Sequence, residues 1–342
     1  MRNAALSIAL LVMVLAGCNR PFEAITDSRV AMYLLPAQDL GPLAEMPVAG
    51  HRAAAAKIAL IDVDGLLLNE PMTGLGSLGE NPVALFREKL DRVAADPSYR
   101  AIVLRINSPG GGVTASDIMW RDLRAFQART GLPVVACLMD HGTGGAYYLA
   151  TAADHIVAHP TTITGGMGVI LNLYNLHDTM LQFNIFGVPV KAGELIDMGT
   201  PMEPPDDVSR AILQEIADEF HHRFREVVRQ GRPEHDGSRA EDFDGRIFTA
   251  RQALDLRLID SIAYLDDAVE MARRLGDCPR ARVVVLHRCP DRARSPYDVS
   301  PNTPLQTSVM PFSLPGLDRS QMPTFLYLWQ PEPTIQRRVT GR

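Results

Sequence analysis

The residues best suited to chemistry in this 342-residue chain form a glycine run, Asn107-Ser108-Pro109-Gly110-Gly111-Gly112. It follows an apolar stretch, 101–106, and precedes a helical segment that begins at Thr114. A strand, then glycines, then a helix aims backbone N–H groups at a concave anion site. Four readings of such a loop are open. A phosphate loop needs Gly-Lys-Ser/Thr, whereas Val113 and Thr114 follow the run. A dinucleotide fingerprint is met formally, since residues 110–115 fit G-x-G-x-x-A, with Asp140 in the role of ribose-binding acid. An oxyanion hole uses paired N–H donors to hold charge developing on a carbonyl oxygen. A tight turn with no ligand is the bland alternative.

Acyl chemistry at such a loop also needs a nucleophile and a base. Among 34 basic residues only Lys57, Lys89 and Lys191 are lysines, so a lysine base must be one of these three. Lys89 stands beside Glu88 on a helical segment and is expected to be solvated. No G-x-S-x-G elbow occurs. Asp140, His141 and Thr143 bring an acid, an imidazole and a hydroxyl together; closing a loop after a strand is their simpler role. His155 and His159 have the spacing of a helical zinc pair, but Ile156-Val157 between them reads as strand. His221 and His222 are helix neighbours and cannot face one metal. No metal and no cofactor are expected.

These groups must be positioned by an α/β core. Strand signals at 57–63, 101–106, 133–139, 155–158 and 168–171 alternate with helix signals at 83–95, 114–129, 144–153 and 206–229. A further strand is expected at 282–287. It separates Cys278 from Cys289 by far more than the ~7 Å that a disulfide spans. Cys137 sits in an apolar run and reads as a core residue. With 46% hydrophobic residues and a net charge of −6, the chain is neither disordered nor a nucleic-acid binder.

The ends differ from this core. Residues 4–16 run apolar except for Ser7, a span of ~20 Å against a bilayer core of ~30 Å, as in a secretory leader. The stretch closes with Leu15-Ala16-Gly17-Cys18, which resembles the lipobox of bacterial lipoproteins. That resemblance implies removal of 1–17, acylation of Cys18 and a lipid-anchored location in the cell envelope, with Asn19 favouring an outer membrane. Residues 18–56 read as a tether, 57–275 as the folded domain and 276–342 as a proline-rich extension. The cluster Phe325-Leu326-Tyr327-Leu328-Trp329 is expected to dock that extension.

Residues 102–113, Ile-Val-Leu-Arg-Ile-Asn-Ser-Pro-Gly-Gly-Gly-Val, resemble the oxyanion segment of the signal peptide peptidase A family. Four further stretches agree in order: 144–154, 162–169, 190–193 and 244–253. The resemblance implies a ClpP/crotonase-type α/β fold of repeated ββα units, with Gly110, Gly111 and Gly145 binding the oxyanion and the peptide. It also implies a serine nucleophile and a lysine base. Counting back from Tyr147, the serine position holds Gly144; Lys191, Gly193 and Asp197 match the lysine motif, but its catalytic position holds Ile196. An insertion at Ala146 would instead bring Thr143 to the nucleophile position, at the cost of turning the next helix by ~100°.

Three functions follow. The first is a lipid-anchored pseudopeptidase that binds or scaffolds membrane-derived peptides, as a homo-oligomeric ring or with an active paralogue. The second is a working peptidase that uses Thr143 or a composite site with that paralogue. The third is a crotonase-type acyl-CoA enzyme.

Overall fold

A computed structural model of the chain describes residues 22–25, 31–34, 41–51, 53–70, 80–288, 295–296 and 324–329. Three short strands come first: β1 (Phe22–Ile25), β2 (Ala31–Leu34) and β3 (Ala44–Gly50). Then β4 (Ala56–Leu67), α1 (Pro82–Ala94), β5 (Tyr99–Gly112), α2 (Val113–Thr130), β6 (Val134–Thr143) and α3 (Gly145–Ala150) alternate. Strands β7 (His155–Ala158) and β8 (Ile163–Gly165) lead to helices α4 (His177–Gln182) and α5 (Asp207–Gly231). Strand β9 (Ile247–Thr249), α6 (Ala250–Asp255), β10 (Ser261–Ile262), α7 (Leu265–Leu275), β11 (Ala281–His287) and β12 (Leu326–Leu328) complete the order.

The main sheet runs β10-β7-β6-β5-β4-β11-β3. Along this path every pair is parallel except β11 with β3; off it, β8 joins β6 in parallel, while β9 on β8 and β12 on β5 are antiparallel. Ile58, Ala59, Leu60 and Ile61 are buried in succession because helices cover both faces of the central strand. Alternation sends Ala59, Ile61, Ile102 and Leu104 to a core shared with α1, α2, α3 and α5. It sends Ile58, Leu60, Val103 and Val135 to a second core under α7. The mixed α/β architecture expected from the alternating signals is present.

Local signals explain the helix ends. Asn81 accepts hydrogen bonds from the Val83 and Ala84 amides, and Pro82 opens α1. Gly131, at φ 68°, closes α2 in the left-handed conformation. Several elements differ from the sequence expectations. The glycine run continues β5 to its end rather than forming the turn after it. The helix expected over 144–153 is shorter. No strand forms over 168–171, where Ile170 makes a single bridge. Both ends reach into the sheet beyond 57–275. Strand β11 lies between β4 and β3, and β3 comes from the segment read as a tether. Residues 1–17 and Cys18 lie outside the described residues, as does Cys289. No helix among the described residues is long and apolar enough to cross a membrane.

Lys89 is buried, with 1% of its surface exposed, and is not solvated as its neighbour Glu88 implied. It lies on the α1 stripe with Leu85, Phe86, Leu90 and Val93. Burial lowers the pKa of its ammonium, against the pull of Asp62 and Glu80. Unfolding therefore takes up protons at Lys89, and the stability lost to burying it is regained as pH rises toward the ordinary lysine value near 10.5. Lys89→Met is expected to be neutral or stabilising by about 1–3 kcal/mol at pH 7. The gain over wild type should shrink as pH rises toward about 10.5 in denaturant titrations. A gain that grows with pH would contradict the assignment.

Candidate functional site

The glycine run and the β6–α3 junction meet at the carboxyl ends of the parallel strands. A methyl group on Gly110 would lie 2.7 Å from the Gly145 nitrogen, and one on Gly145 would lie 3.4 Å from the Gly111 nitrogen. The structure thus brings together Gly110, Gly111, Gly144 and Gly145. Gly144 is the junction residue itself, with φ 54° and ψ −125°. Its amide donates to the Gly165 carbonyl (2.9 Å), and its carbonyl accepts from Tyr148 N (2.9 Å). A Cβ at this point would meet the backbone of residues 327 and 328, and glycine supplies none.

The Gly110 N–H donates to buried Ser108 Oγ at 3.1 Å. Gly110 takes a positive φ of 105°, a backbone conformation that suits glycine. Ser116 supports the other wall: its hydroxyl donates to Gly112 O at 2.9 Å. A methyl group on Gly145 would come within 2.1 Å of Ser116 Oγ. Neither serine was singled out from the sequence, because only the fold carries them under the glycines.

Thr143 ends β6 beside the junction. It is fully buried, and its Oγ1 has no hydrogen-bond partner. His141 Nδ1 is likewise unpartnered, so no hydrogen bond links this imidazole to the threonine. His155 Nε2 lies 3.1 Å from Ser261 Oγ and His159 Nδ1 2.8 Å from Thr161 Oγ1; the two imidazoles serve separate contacts.

No lysine is placed as a base at the junction. Lys57 starts β4, at the opposite end of the sheet, and donates to Glu45 (2.6 Å) and Asp96 (2.9 Å). Burial alone would lower its pKa, but those two hydrogen bonds outweigh burial and raise it. Lys191 donates to both Asp197 oxygens at 2.9 Å, which holds its pKa above the ordinary value in an exposed loop. Lys89 faces Asp62, Glu80, Arg105 and Arg288 rather than the glycines. Ile196 is 73% exposed, and Phe183, Ile185, Phe186, Val188 and Val190, in the same stretch of chain, are exposed as well.

Strand β12 was legible only as a docking cluster. It pairs antiparallel with the glycine run, Leu326 opposite Gly112, Tyr327 opposite Gly111 and Leu328 opposite Gly110. A methyl group on Gly144 would lie 2.4 Å from the Tyr327 carbonyl oxygen and 2.8 Å from its carbon. The carbonyl of an extended strand therefore sits where a junction nucleophile would reach.

The sequence profile of peptidase family S49 matches residues 127–278. A putative signal peptide peptidase of Enterococcus faecium is 27% identical over 232 residues, covering 68% of this chain and 67% of that one. A putative protease of Synechocystis is 30% identical over 223 residues, 64% of this chain and 74% of that one. Protease 4 of Salmonella typhi is 26% identical over 284 residues, and the match spans 43% of its length. A solved membrane-bound stomatin-specific protease with a substrate peptide covers 68% of this chain at 12% identity and a TM-score of 0.42. The collinear motifs, the family profile and the sequence relatives agree: the chain belongs to peptidase family S49.

Proposed function

We propose that this chain is a lipid-anchored peptidase-fold protein that holds extended, membrane-derived peptides without cutting them. One observation carries the reading: every lysine among the described residues is engaged or buried away from the junction, where the motif register counted back from Tyr147 sets Gly144 at the nucleophile position. Acyl transfer at this junction would lack both the attacking oxygen and the group that takes its proton. The strand edge of the glycine run supports binding without cleavage, because an extended segment gains main-chain hydrogen bonds there. The exposed apolar residues between 183 and 196 support assembly with further copies, or with a paralogue that supplies serine and lysine to a composite site. Acylation at Cys18 would place the assembly on the envelope membrane.

The test uses the chain from residue 19, a set of fluorogenic membrane-segment peptides and a serine-reactive phosphonate. Neither turnover nor labelling is expected. Either one, abolished by Thr143→Ala, would overturn the reading in favour of a threonine peptidase. Co-purification of the full precursor from membranes reads the other elements. Recovery of a homologue with the Ser–Lys pair selects the composite site, and an unlipidated chain in the soluble fraction removes the anchor.

A further inference from the structure

Residues 325–329 lie in the groove as a peptide ligand would. On one side β12 pairs with the glycine run, and its ends are tied by Val113 N to Phe325 O (3.2 Å) and Trp329 N to Pro109 O (3.1 Å). On the other side Leu326 exchanges two hydrogen bonds with Ile170, of 3.0 and 2.9 Å. The segment is thus hydrogen-bonded along both edges. Strand alternation then sets Phe325, Tyr327 and Trp329 on one face and the two leucines on the other.

Each of the three aromatic residues meets a partner of its own. Tyr327 is fully buried; its ring stacks on Tyr148 (centroids 5.3 Å apart) and leans on Phe224 (4.7 Å). Its hydroxyl donates to the Phe220 carbonyl at 2.6 Å, and burial raises the pKa of the phenol. The pocket wall is itself fixed: the Tyr148 hydroxyl donates to Asp117, whose Oδ1 also accepts from Arg223 Nη2 at 3.0 Å. Phe325 meets the Phe220 ring edge-on at 5.2 Å, and Trp329 lies 5.7 Å from the His141 ring. A pocket with an aromatic floor and a carbonyl at its end matches a tyrosine. An aliphatic side chain would lose the stacking, and a phenylalanine would lose the hydrogen bond.

We infer that the groove selects extended peptides of the pattern aromatic-x-Tyr-x-aromatic, and that residues 325–329 are its resident occupant. The inference rests on the groove being a peptide-holding site, and it adds both the ligand class and the regulation. A tethered occupant acts at an effective concentration on the order of mM. A foreign peptide of equal intrinsic affinity must therefore approach that concentration, or arrive on a partner, before it displaces β12. Binding of a membrane-derived peptide and release of the carboxyl-terminal segment then become one exchange.

The experiment compares the chain from residue 19 with its Tyr327→Ser variant, which weakens the occupant and leaves the groove walls unchanged. The probe is a fluorescein-labelled peptide, Thr-Phe-Leu-Tyr-Leu-Trp-Gln. The control, Thr-Leu-Phe-Tyr-Trp-Leu-Gln, has the same composition with its aromatic residues contiguous. The variant should bind the alternating probe at least tenfold more tightly than wild type does, and at least tenfold more tightly than it binds the control. Equal affinity of wild type and variant for the probe would overturn the resident-occupant inference. Equal affinity of the variant for both peptides would overturn the aromatic pattern while sparing the peptide-groove reading. A folded variant that binds neither peptide would overturn both. Should Tyr327→Ser fail to fold, hydrogen exchange on wild type decides: mM probe must speed exchange of the Leu326 amide, and unchanged exchange refutes displacement.

Discussion

Gly111→Ala is expected to cost about 3 kcal/mol or more, enough to unfold a marginally stable chain. The added methyl would lie 2.1 Å from the Leu67 carbonyl oxygen, 2.6 Å from its nitrogen and 2.7 Å from its carbonyl carbon. All three are backbone atoms of the paired strand β4, so no side-chain rotation relieves the clash; the two strands must part. Gly112→Ala is the matched control. Its methyl meets nothing nearer than Ala115 Cβ at 3.7 Å, and its φ of −58° suits any residue, so a change within about 0.5 kcal/mol is expected. Urea titration of both variants checks the pair. A Gly111→Ala chain within 1 kcal/mol of wild type would mean that β4 and β5 do not approach this closely.

Gly144→Ser should expel β12 without creating a peptidase. A Cβ at this position falls 2.4 Å from the Tyr327 carbonyl oxygen and 3.1 Å from Leu328 N, so serine and strand cannot share the junction unchanged. The positive φ of 54° adds strain of about 1–2 kcal/mol for any residue with a Cβ. Protection of the Leu326 amide against hydrogen exchange should fall about a hundredfold, equivalent to roughly 3 kcal/mol. Turnover of fluorogenic peptides is expected to be absent, because the three lysines are engaged or buried elsewhere. Cleavage by the single variant would show that a general base is present after all.

How far the sequence carried depends on the range of the interactions concerned. Helix α1 is announced by Asn81 and Pro82, and α5 by its long apolar stripe, because capping and 3.6-residue periodicity are local. The burial of Lys89 was legible by the same rule. It stands four residues after Leu85 and four before Val93, on the apolar stripe, although its charge and its neighbour Glu88 favour water. Strands β3 and β11 were harder to place. Alternation tells a strand which faces it has, and leaves open which strand lies beside it. That β11 pairs with β4 on one edge and β3 on the other is a long-range outcome of closing the sheet.

The site divides along the same line. Residue identity limits the chain to three lysines in 342 residues, and the motif resemblance, also read from residue identity, sets Gly144 and Ile196 at the serine and lysine positions. Tertiary structure decided which groups share the groove. It set the Gly110 amide on Ser108, buried Thr143 and Lys89, and brought the Tyr327 carbonyl to Gly144 from more than 180 residues away. The sequence names the side chains that chemistry would need. Only the closing of backbone edges, set by hydrogen bonds that every residue type can make, names the strand that fills their place.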